Sequence, residues 1–336
     1  MSISHLHQAR EALNSALGEI DFPDSEGREA LKREIVLRPP KKRSWGDLST
    51  NAAILLKSNK IINFDEALER VLSGFKSLEG IADVRYEGNG YINLRYQVDY
   101  WLNQVPLILE EGVNYGLMGL AAEKCVISVP TDVIDLMSCR QQSNAVTLER
   151  LAALIGAGTE RNILPLREAS GFSLASAIGK CTEAKVRFAL IANSPDFIDA
   201  FSPILAIDKS YDNPVFAIPY ACMMLDKIMV KTEIQNGVDM SVLKLPIEVE
   251  LARVISGWPL AVERTLKKRD GFYLVSFLHE LSLLFFRHFD RVHPISSNYL
   301  TEAPEQPARL ALLSALGALL NGGAILLGVD TVKEYA

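Results

Sequence analysis

The sequence contains few of the residues that hold metal ions or form disulfides. Its 336 residues include four cysteines and five histidines. The cysteines stand singly, at Cys125, Cys139, Cys181 and Cys222, and none has the Cys-x-x-Cys spacing of a zinc site or a redox pair. The histidines form no ligand cluster either. We therefore expect free thiols in a reducing compartment, no metal and no cofactor.

The chain also lacks an excess of positive charge. Lys and Arg number 35 against 41 Asp and Glu, which gives a net charge of -6 and a pI near 5.5. This balance argues against a protein held to nucleic acid by its overall charge, but it allows a local basic face on an acidic body. Hydrophobic residues make up 49% and charged residues 23%, as is typical of globular proteins. A globular chain of this length is expected to form about two or three domains.

No signal peptide is visible, because residues 1–20 are polar with the spacing of an amphipathic helix. One segment, residues 310–329, has no charged residue over a length sufficient to span a bilayer. It also contains Asn321 and four glycines, of which Gly328 stands where a helix would end. We expect a buried core helix that ends near Gly328, no membrane contact and a cytoplasmic protein.

The first third of the chain combines helical and strand patterns. Apolar spacing predicts a helix over residues 5–37, a short helix over residues 51–56 and another helix after Asp65. Residues 84–86 and 91–96 flank a Gly-Asn-Gly sequence, which is typical of a strand, a tight turn and a second strand.

A basic loop follows the first predicted helix. Two prolines favour an extended backbone there, and four cations stand within residues 38–43. Lys and Arg bind nucleic acid by neutralising phosphates and releasing counterions. Such a cluster is also typical of a solvated loop, and the residues alone leave both interpretations open.

Three motifs resemble the arginyl-tRNA synthetase family, which belongs to the class I aminoacyl-tRNA synthetases. Gly-Asp-Leu-Ser-Thr-Asn at residues 46–51 and Gly-Asn-Gly-Tyr-Ile-Asn-Leu at residues 88–94 are similar to motifs of the family's N-terminal domain. Asp-Asn-Pro-Val-Phe-Ala-Ile-Pro-Tyr-Ala at residues 212–221 resembles the opening of its anticodon-binding domain. The resemblance implies an N-terminal domain that contacts the D-loop corner of tRNA and a helical bundle that holds the anticodon arm.

The family's ATP-binding signature is altered in this sequence. Residues 130–131 keep its Pro-Thr, but Asp135, Met137 and Ser138 replace a histidine, a glycine and a second histidine. A Met side chain prevents the close backbone approach that glycine permits, and a carboxylate repels phosphate. Only about thirty residues separate the next helix from Val186, too few for the repeated βαβ units of a doubly wound sheet. We therefore expect no catalytic residues and at most one or two structural elements there.

These observations predict an α+β multidomain protein. We expect an N-terminal α+β domain over residues 1–118, a reduced remnant of a Rossmann-like nucleotide-binding core over residues 119–205, and an all-α DALR-type bundle over residues 206–336. The predicted function is binding of tRNA, whether arginine tRNA or another, without aminoacylation. The remnant is expected to act as a spacer between two linked weak sites.

Two other functions stay open. One is a protein-interaction module that binds a tRNA-modifying enzyme or the authentic synthetase. The other is a residual arginine-tRNA ligase-type activity that depends on ATP, against which the altered signature argues.

The candidate RNA-binding residues have basic, amide or aromatic side chains. By the resemblance, Tyr220 takes the place of a tyrosine that approaches the anticodon loop, while Pro219, Cys222 and Met224 replace the family's Gln, His and Arg. Base reading is therefore expected to be relaxed or changed, although Tyr220 can still stack on an unpaired base. Pro219 is expected to start or kink a helix. The full set is Arg38, Lys41, Lys42, Arg43, Asn51, Asn89, Tyr91, Tyr220, Lys267, Lys268, Arg287 and Arg291, with Arg269, His288 and His293 as further potential cations.

Overall fold

The computed structural model describes residues 3–22, 25–59, 61, 63–120, 124–165, 174–179, 181–194, 206–229, 237–292, 300 and 304–329. By its internal contacts the chain divides into two compact units. We call Ile3–Asn103 the N-terminal unit and Gln104–Ala336 the C-terminal unit.

The N-terminal unit contains an antiparallel sheet with the strand order β1-β2-β4-β3. Its strands are β1 (Leu37–Arg38), β2 (Leu48–Thr50), β3 (Ile81–Tyr86) and β4 (Ile92–Tyr96). Its helices are α1 (His5–Gly18), α2 (Ser25–Glu34), α3 (Ala52–Ser58), α4 (Phe64–Lys76) and the first residues of α5 (Val98–Glu111).

The prediction of a single helix over residues 5–37 is wrong. The described residues there form α1, α2 and β1. Gly18 ends α1, because glycine is a poor helix former, and Phe22 precedes a proline, which disfavours helical backbone. The short helix near residue 51, the helix near Asp65 and the hairpin are confirmed by α3, α4, β3 and β4.

One face of this sheet belongs to the core. Ile92, Leu94 and Tyr96 alternate along β4 and are all buried, as is Leu48 on β2. Helix α4 contacts both α1 and β3 and contributes the fully buried Phe75. Burying each such side chain stabilises the fold by about 1.5–3 kcal/mol.

The C-terminal unit is mainly helical. Its parallel strand pair is β5 (Cys125–Pro130) and β6 (Thr159–Leu164). Its further helices are α6 (Leu136–Leu154), α7 (Leu174–Ile178), α8 (Glu183–Ala192), α9 (Pro214–Met229), α10 (Pro246–Ile255), α11 (Trp258–Lys268), α12 (Phe272–Val292) and α13 (Gln306–Leu327). Between α6 and α8 the described residues form only β6 and α7, in agreement with the shortness of that segment.

Helix α13 is the apolar segment at the end of the chain. By length and composition it could cross a membrane, but 78% of its most apolar window is buried inside the protein. It ends at Gly328, whose φ of 79° is the left-handed conformation that glycine adopts readily. The predicted core helix with a glycine stop is confirmed.

Pro219 lies inside α9, which begins at Pro214. The prediction that a helix starts at Pro219 is therefore wrong. Proline is favoured in the first turn of a helix, where no backbone donor is needed. Pro214 occupies the first position of α9 and so starts the helix before Pro219. The alternative, a kink at Pro219, stays a prediction.

Candidate nucleic-acid interface

A row of polar residues crosses the N-terminal sheet on the side opposite the core. Strand pairing aligns Arg38 with Ser49, Ser49 with Asn93, and Asn93 with Arg85. Directly paired residues point to the same side of a sheet, and Arg95 joins them by alternation along β4. We call these five residues the polar sheet face. Its arginines are exposed, whereas Ser49 and Asn93 are buried.

Arg38 and Tyr91, both predicted from the motifs, contact each other. Arg38 Nη2 donates to Tyr91 Oη at 3.3 Å, and the guanidinium carbon lies 6.0 Å from the ring centroid. Arg38 is exposed and Tyr91 is half-buried. The pair can offer a cation and an aromatic ring to the same ligand.

The basic loop lies beside the polar sheet face. Residues 41–43 are all exposed, and Lys42 Nζ is 5.6 Å from the ring centroid of Trp45, which is 41% exposed. Arg95 Nη2 donates to Ser44 O at 2.6 Å and ties the loop to β4. An exposed cation next to an exposed aromatic ring is a combination that single-stranded nucleic-acid surfaces use.

The two candidate asparagines engage the backbone around these residues. Asn51 Oδ1 accepts from Val36 N at 2.8 Å, and its Nδ2 donates to Glu34 O at 3.3 Å. Asn89 Oδ1 accepts from Tyr91 N at 3.2 Å. Asn51 thus fixes the segment that enters β1, and Asn89 shapes the turn before β4. A direct contact of either with RNA stays a prediction.

Asn93 is a functional candidate to which the motifs assign no role. It is 3% exposed, and its Oδ1 accepts no hydrogen bond within the part of the chain that the structure describes. Leaving such a buried acceptor unpaired costs about 1–3 kcal/mol, and a movement of the exposed arginines around it would be needed before a donor could reach it. The sequence does indicate the position of Asn93. It stands between two apolar residues of β4, and alternation along a strand places it on the face opposite the core.

Four aromatic rings form a second surface, in the C-terminal unit. We call Tyr211, Phe216, Tyr220 and Phe286 the aromatic cluster. The Tyr220 and Phe216 ring centroids lie 5.1 Å apart with 16° between the planes, and those of Tyr211 and Phe286 lie 4.2 Å apart with 19°. Tyr211 is 45% exposed, Tyr220 is half-buried and Phe286 is buried. The cluster therefore rests on the core through Phe286 and ends in the exposed ring of Tyr211.

The Asn-Pro-Val part of the motif builds the turn that carries two of these rings. Asn213 Oδ1 accepts from Val215 N at 3.1 Å, and its Nδ2 donates to Asp208 O at 2.7 Å. His279 Nε2 lies 2.8 Å from Tyr211 O and fastens the turn to α12. Tyr211 directly precedes the motif, but nothing in its sequence context indicates that it stacks on residues of two helices.

The predicted basic residues of the C-terminal unit have different surroundings. Lys267 and Lys268 are exposed at the end of α11, where Lys267 Nζ lies 2.8 Å from Glu263 Oε1. Arg287 is exposed on α12. The Arg291 side chain and all of His293 lie outside the part of the chain that the structure describes.

The prediction that His288 is a surface cation is wrong. Its side chain is 1% exposed on α12. Burial, and secondarily the charge of Arg309, lowers the pKa of His288 to about 4, so the ring is neutral at pH 7. Sequence spacing did not reveal this, because His288 follows the exposed Arg287 but points to the other side of the helix.

The residues that replace the ATP-binding signature form the cap of α6. Ser138 N donates to Asp135 Oδ1 at 2.8 Å, and Asp135 N donates to Ser138 Oγ at 3.1 Å, which is a capping box. A carboxylate thus occupies the helix N-terminus, where a phosphate would otherwise find backbone donors. The altered signature therefore has a structural role that does not need a nucleotide.

Two of the four cysteines belong to the core, while Cys125 and Cys181 are half-buried. Cys139 and Cys222 are fully buried, and burial raises the pKa of both thiols, that of Cys222 to about 12. Over the described ranges, no three His, Cys, Asp or Glu residues are grouped so that they could hold a metal ion.

Two family matches cover the ends of the chain. The arginyl tRNA synthetase N-terminal domain matches residues 7–96, and the DALR anticodon binding domain matches residues 218–334. The chain is 32% identical to the arginine–tRNA ligases of Brucella suis and Brucella ovis over 148 residues. That region is 43% of this chain and 25% of each relative, so the match spans a quarter of the relatives' length.

Solved arginyl-tRNA synthetases share the fold. The Thermus thermophilus enzyme superposes with a TM-score of 0.63 and 11% identity, covering 96% of this chain and 98% of the other. The enzyme from Plasmodium falciparum gives a TM-score of 0.61 and 10% identity, with 98% and 99% covered. These similarities, with the two domain matches, confirm the predicted fold class of an α+β N-terminal domain and a C-terminal helical bundle.

Proposed function

Because this chain belongs to the arginyl-tRNA synthetase family through its N-terminal and DALR anticodon binding domains, we propose that it is a cytoplasmic protein that binds tRNA without aminoacylating it. One observation carries the proposal. Each of the two compact units has a surface suited to nucleic acid, whereas a buried carboxylate caps the helix where the ATP-binding signature would begin.

The proposed role of the N-terminal unit is to hold the D-loop corner of tRNA. The basic loop at residues 41–43 and the exposed arginines of the polar sheet face would neutralise phosphates. Tyr91, placed beside Arg38, offers a ring for stacking. Asn51 and Asn89 support this site by fixing its backbone.

The proposed role of the C-terminal unit is to hold the anticodon arm. Unpaired bases stack on aromatic side chains with little dependence on base identity, and the exposed part of the aromatic cluster provides such rings. Lys267, Lys268 and Arg287 would meet the phosphates, with Arg291 as a further candidate on the same helix as Arg287. Since no base-reading Gln, His or Arg flanks Tyr220, recognition would depend on shape and backbone.

The proposed loss of aminoacylation is supported by the substitutions at Asp135, Met137 and Ser138. It is supported further by the two-stranded sheet that the described residues form between residues 119 and 205, which we call the middle segment. A doubly wound fold binds its nucleotide where strand order reverses, and a single strand pair offers no such point. An ATP–pyrophosphate exchange assay with arginine and tRNA tests this part. We expect no exchange, and arginine-dependent exchange by the purified chain would overturn it.

Charge reversal of the basic loop tests the tRNA-binding part. The variant Lys41→Glu/Lys42→Glu/Arg43→Glu should lose most salt-dependent tRNA binding while keeping the wild-type circular dichroism spectrum and Tm. A matched control reverses the same number of exposed charges on helices of the same unit, as Arg33→Glu/Lys57→Glu/Lys76→Glu. Equal binding by both variants would contradict the proposal and favour the alternative of a protein-interaction module.

A further inference from the structure

The turn after α11 contains a residue in an unfavourable backbone conformation. Arg269 has φ 53° and ψ 37°, and it is the one non-glycine residue with positive φ in the described part of the chain. This position directly follows a helix, where glycine is the usual choice because it has no Cβ to clash. A bulky side chain that persists in such a conformation is a reason to look for a function.

Two side chains of α6 hold this turn in place. Asn144 Nδ2 donates to Arg269 O at 2.9 Å, and Gly271 N donates to Asn144 Oδ1 at 2.6 Å. Between them, Asp270 accepts from Arg140 Nη2 at 2.9 and 2.8 Å through its two carboxylate oxygens. Three consecutive residues are therefore fixed by one helix of the middle segment.

The fit around Gly271 leaves this turn little freedom. A Cβ added to Gly271 would come within 2.9 Å of Ile191 Cγ2, so the turn passes close to α8 as well. Arg140 also donates from Nε to Leu190 O at 3.1 Å. The backbone at residues 269–271 is thus determined by packing and hydrogen bonds to two neighbouring helices.

The side chains on the outside of this rigid turn are cations. Lys267, Lys268 and Arg269 are consecutive and exposed, and only Arg269 stands in the part fixed by α6. A guanidinium can bind phosphate through two hydrogen bonds at once. A rigid backbone reduces the ordering cost of such a contact.

We propose that Arg269 binds an RNA phosphate and that Asn144 and Arg140 are positioning residues that hold it for this contact. The proposal rests on the proposed function of tRNA binding and deepens it. It gives α6 a role in forming the RNA-binding surface of the bundle, in place of the spacer role expected from the sequence.

The variant Arg269→Gly distinguishes phosphate binding by Arg269 from a contribution of Arg269 to stability. Glycine relieves the backbone strain of a left-handed position, so Tm should not fall. Removing the phosphate contact should weaken tRNA binding roughly three- to tenfold and lower the slope of log Kd against log salt by about 1. Arg269→Asn also tolerates the left-handed conformation and should weaken binding similarly, whereas Arg269→Lys should keep most of the slope.

Asn144→Ala tests the positioning role through a double-mutant cycle. In the wild-type background it should weaken tRNA binding, because the turn is released. In the Arg269→Gly background it should have no further effect on binding, although it still lowers Tm. An equal loss of affinity in both backgrounds would overturn the positioning role.

The outcomes distinguish this inference from the function on which it rests. If the wild-type chain shows no salt-dependent binding of tRNA, both fail. If the wild type binds, and Arg269→Gly binds with the same affinity and the same salt slope, the inference alone is overturned.

Discussion

Arg140 and Asp270 form a buried ion pair between α6 and the turn after α11, with the guanidinium Nη2 2.9 and 2.8 Å from the two carboxylate oxygens. Their side chains are only 7% and 11% exposed. The pair joins the middle segment to the helical bundle, and both parts lie in the same compact unit. Since a buried charge without its partner is costly, this pair should decide whether the bundle keeps its conformation.

Removing one member of this pair should destabilise the protein strongly. We expect Asp270→Ala to lower the free energy of unfolding by about 3–5 kcal/mol, because Arg140 would stay buried without a counter-ion. Urea denaturation followed by circular dichroism measures the change. The exposed pair of Lys124 and Glu160 is the control, and Lys124→Ala should cost less than about 1 kcal/mol. Similar losses in both variants would contradict the burial argument.

His288 should make stability depend on pH in mildly acidic solution. Its pKa is about 4 in the folded state and about 6.5 when exposed, so the unfolded chain binds more protons between these values. The neutral ring makes its full contribution to the free energy of unfolding above about pH 6.5. That contribution, about 3 kcal/mol in total, is lost as the pH falls towards about 4. Burial and the neighbouring Arg309 are the cause.

The difference between wild type and His288→Leu isolates this effect from the titration of carboxylates. The free energy of unfolding is measured in urea at several pH values. The wild type should lose more stability than the variant as the pH falls, and parallel curves would show that His288 is not responsible.

Tyr220 should contribute to tRNA binding through its ring rather than its hydroxyl. Tyr220→Ala removes a stacking partner and should cost about 1–3 kcal/mol of binding free energy, while Tyr220→Phe should stay close to wild type. Fluorescence anisotropy with a labelled tRNA measures both. Because Tyr220 packs against Phe216, the Tm of each variant is needed to separate lost stacking from a disturbed cluster. If Tyr220→Phe binds as poorly as Tyr220→Ala, the stacking role is contradicted.

Asp135 should act on stability alone. Asp135→Ala removes an N-cap of α6 and should lower the free energy of unfolding by about 1 kcal/mol, while Asp135→Asn, which can still cap, should lose much less. Neither change should produce ATP–pyrophosphate exchange. Equal losses in the two variants would show that the capping bond is not the source of the effect.

Local sequence patterns predicted most of the individual elements. Alternation placed Ile92, Leu94 and Tyr96 on the core face of β4, and Gly328 marked the end of α13. The break after Gly18 was not predicted, although Gly18 and the proline after Phe22 mark it in the sequence. The association of α6 with the bundle could not be predicted either, since Arg140 and Asp270 lie 130 residues apart and neither has a local signature.

The candidate interface was predictable only where a motif carries it. The basic loop and Tyr220 follow from motif positions, and both have exposed or half-exposed side chains. Asn93 was identified from its partners on the neighbouring strands, and Tyr211 from the rings on which it stacks. Both observations need the three-dimensional structure. Arg269 belongs to a run of three cations that the sequence shows, but its left-handed backbone and its attachment to α6 need the structure, since glycine would be the expected residue there.

The most direct test of the central claim is a salt titration of tRNA binding by the full chain. Anisotropy of labelled tRNA is measured from about 50 to about 200 mM KCl, beside an unstructured RNA of equal length. The proposal predicts a log Kd that rises linearly with log salt and tighter binding of folded tRNA than of the unstructured RNA. Absence of binding at the lowest salt, or equal affinity for both RNAs, would contradict it.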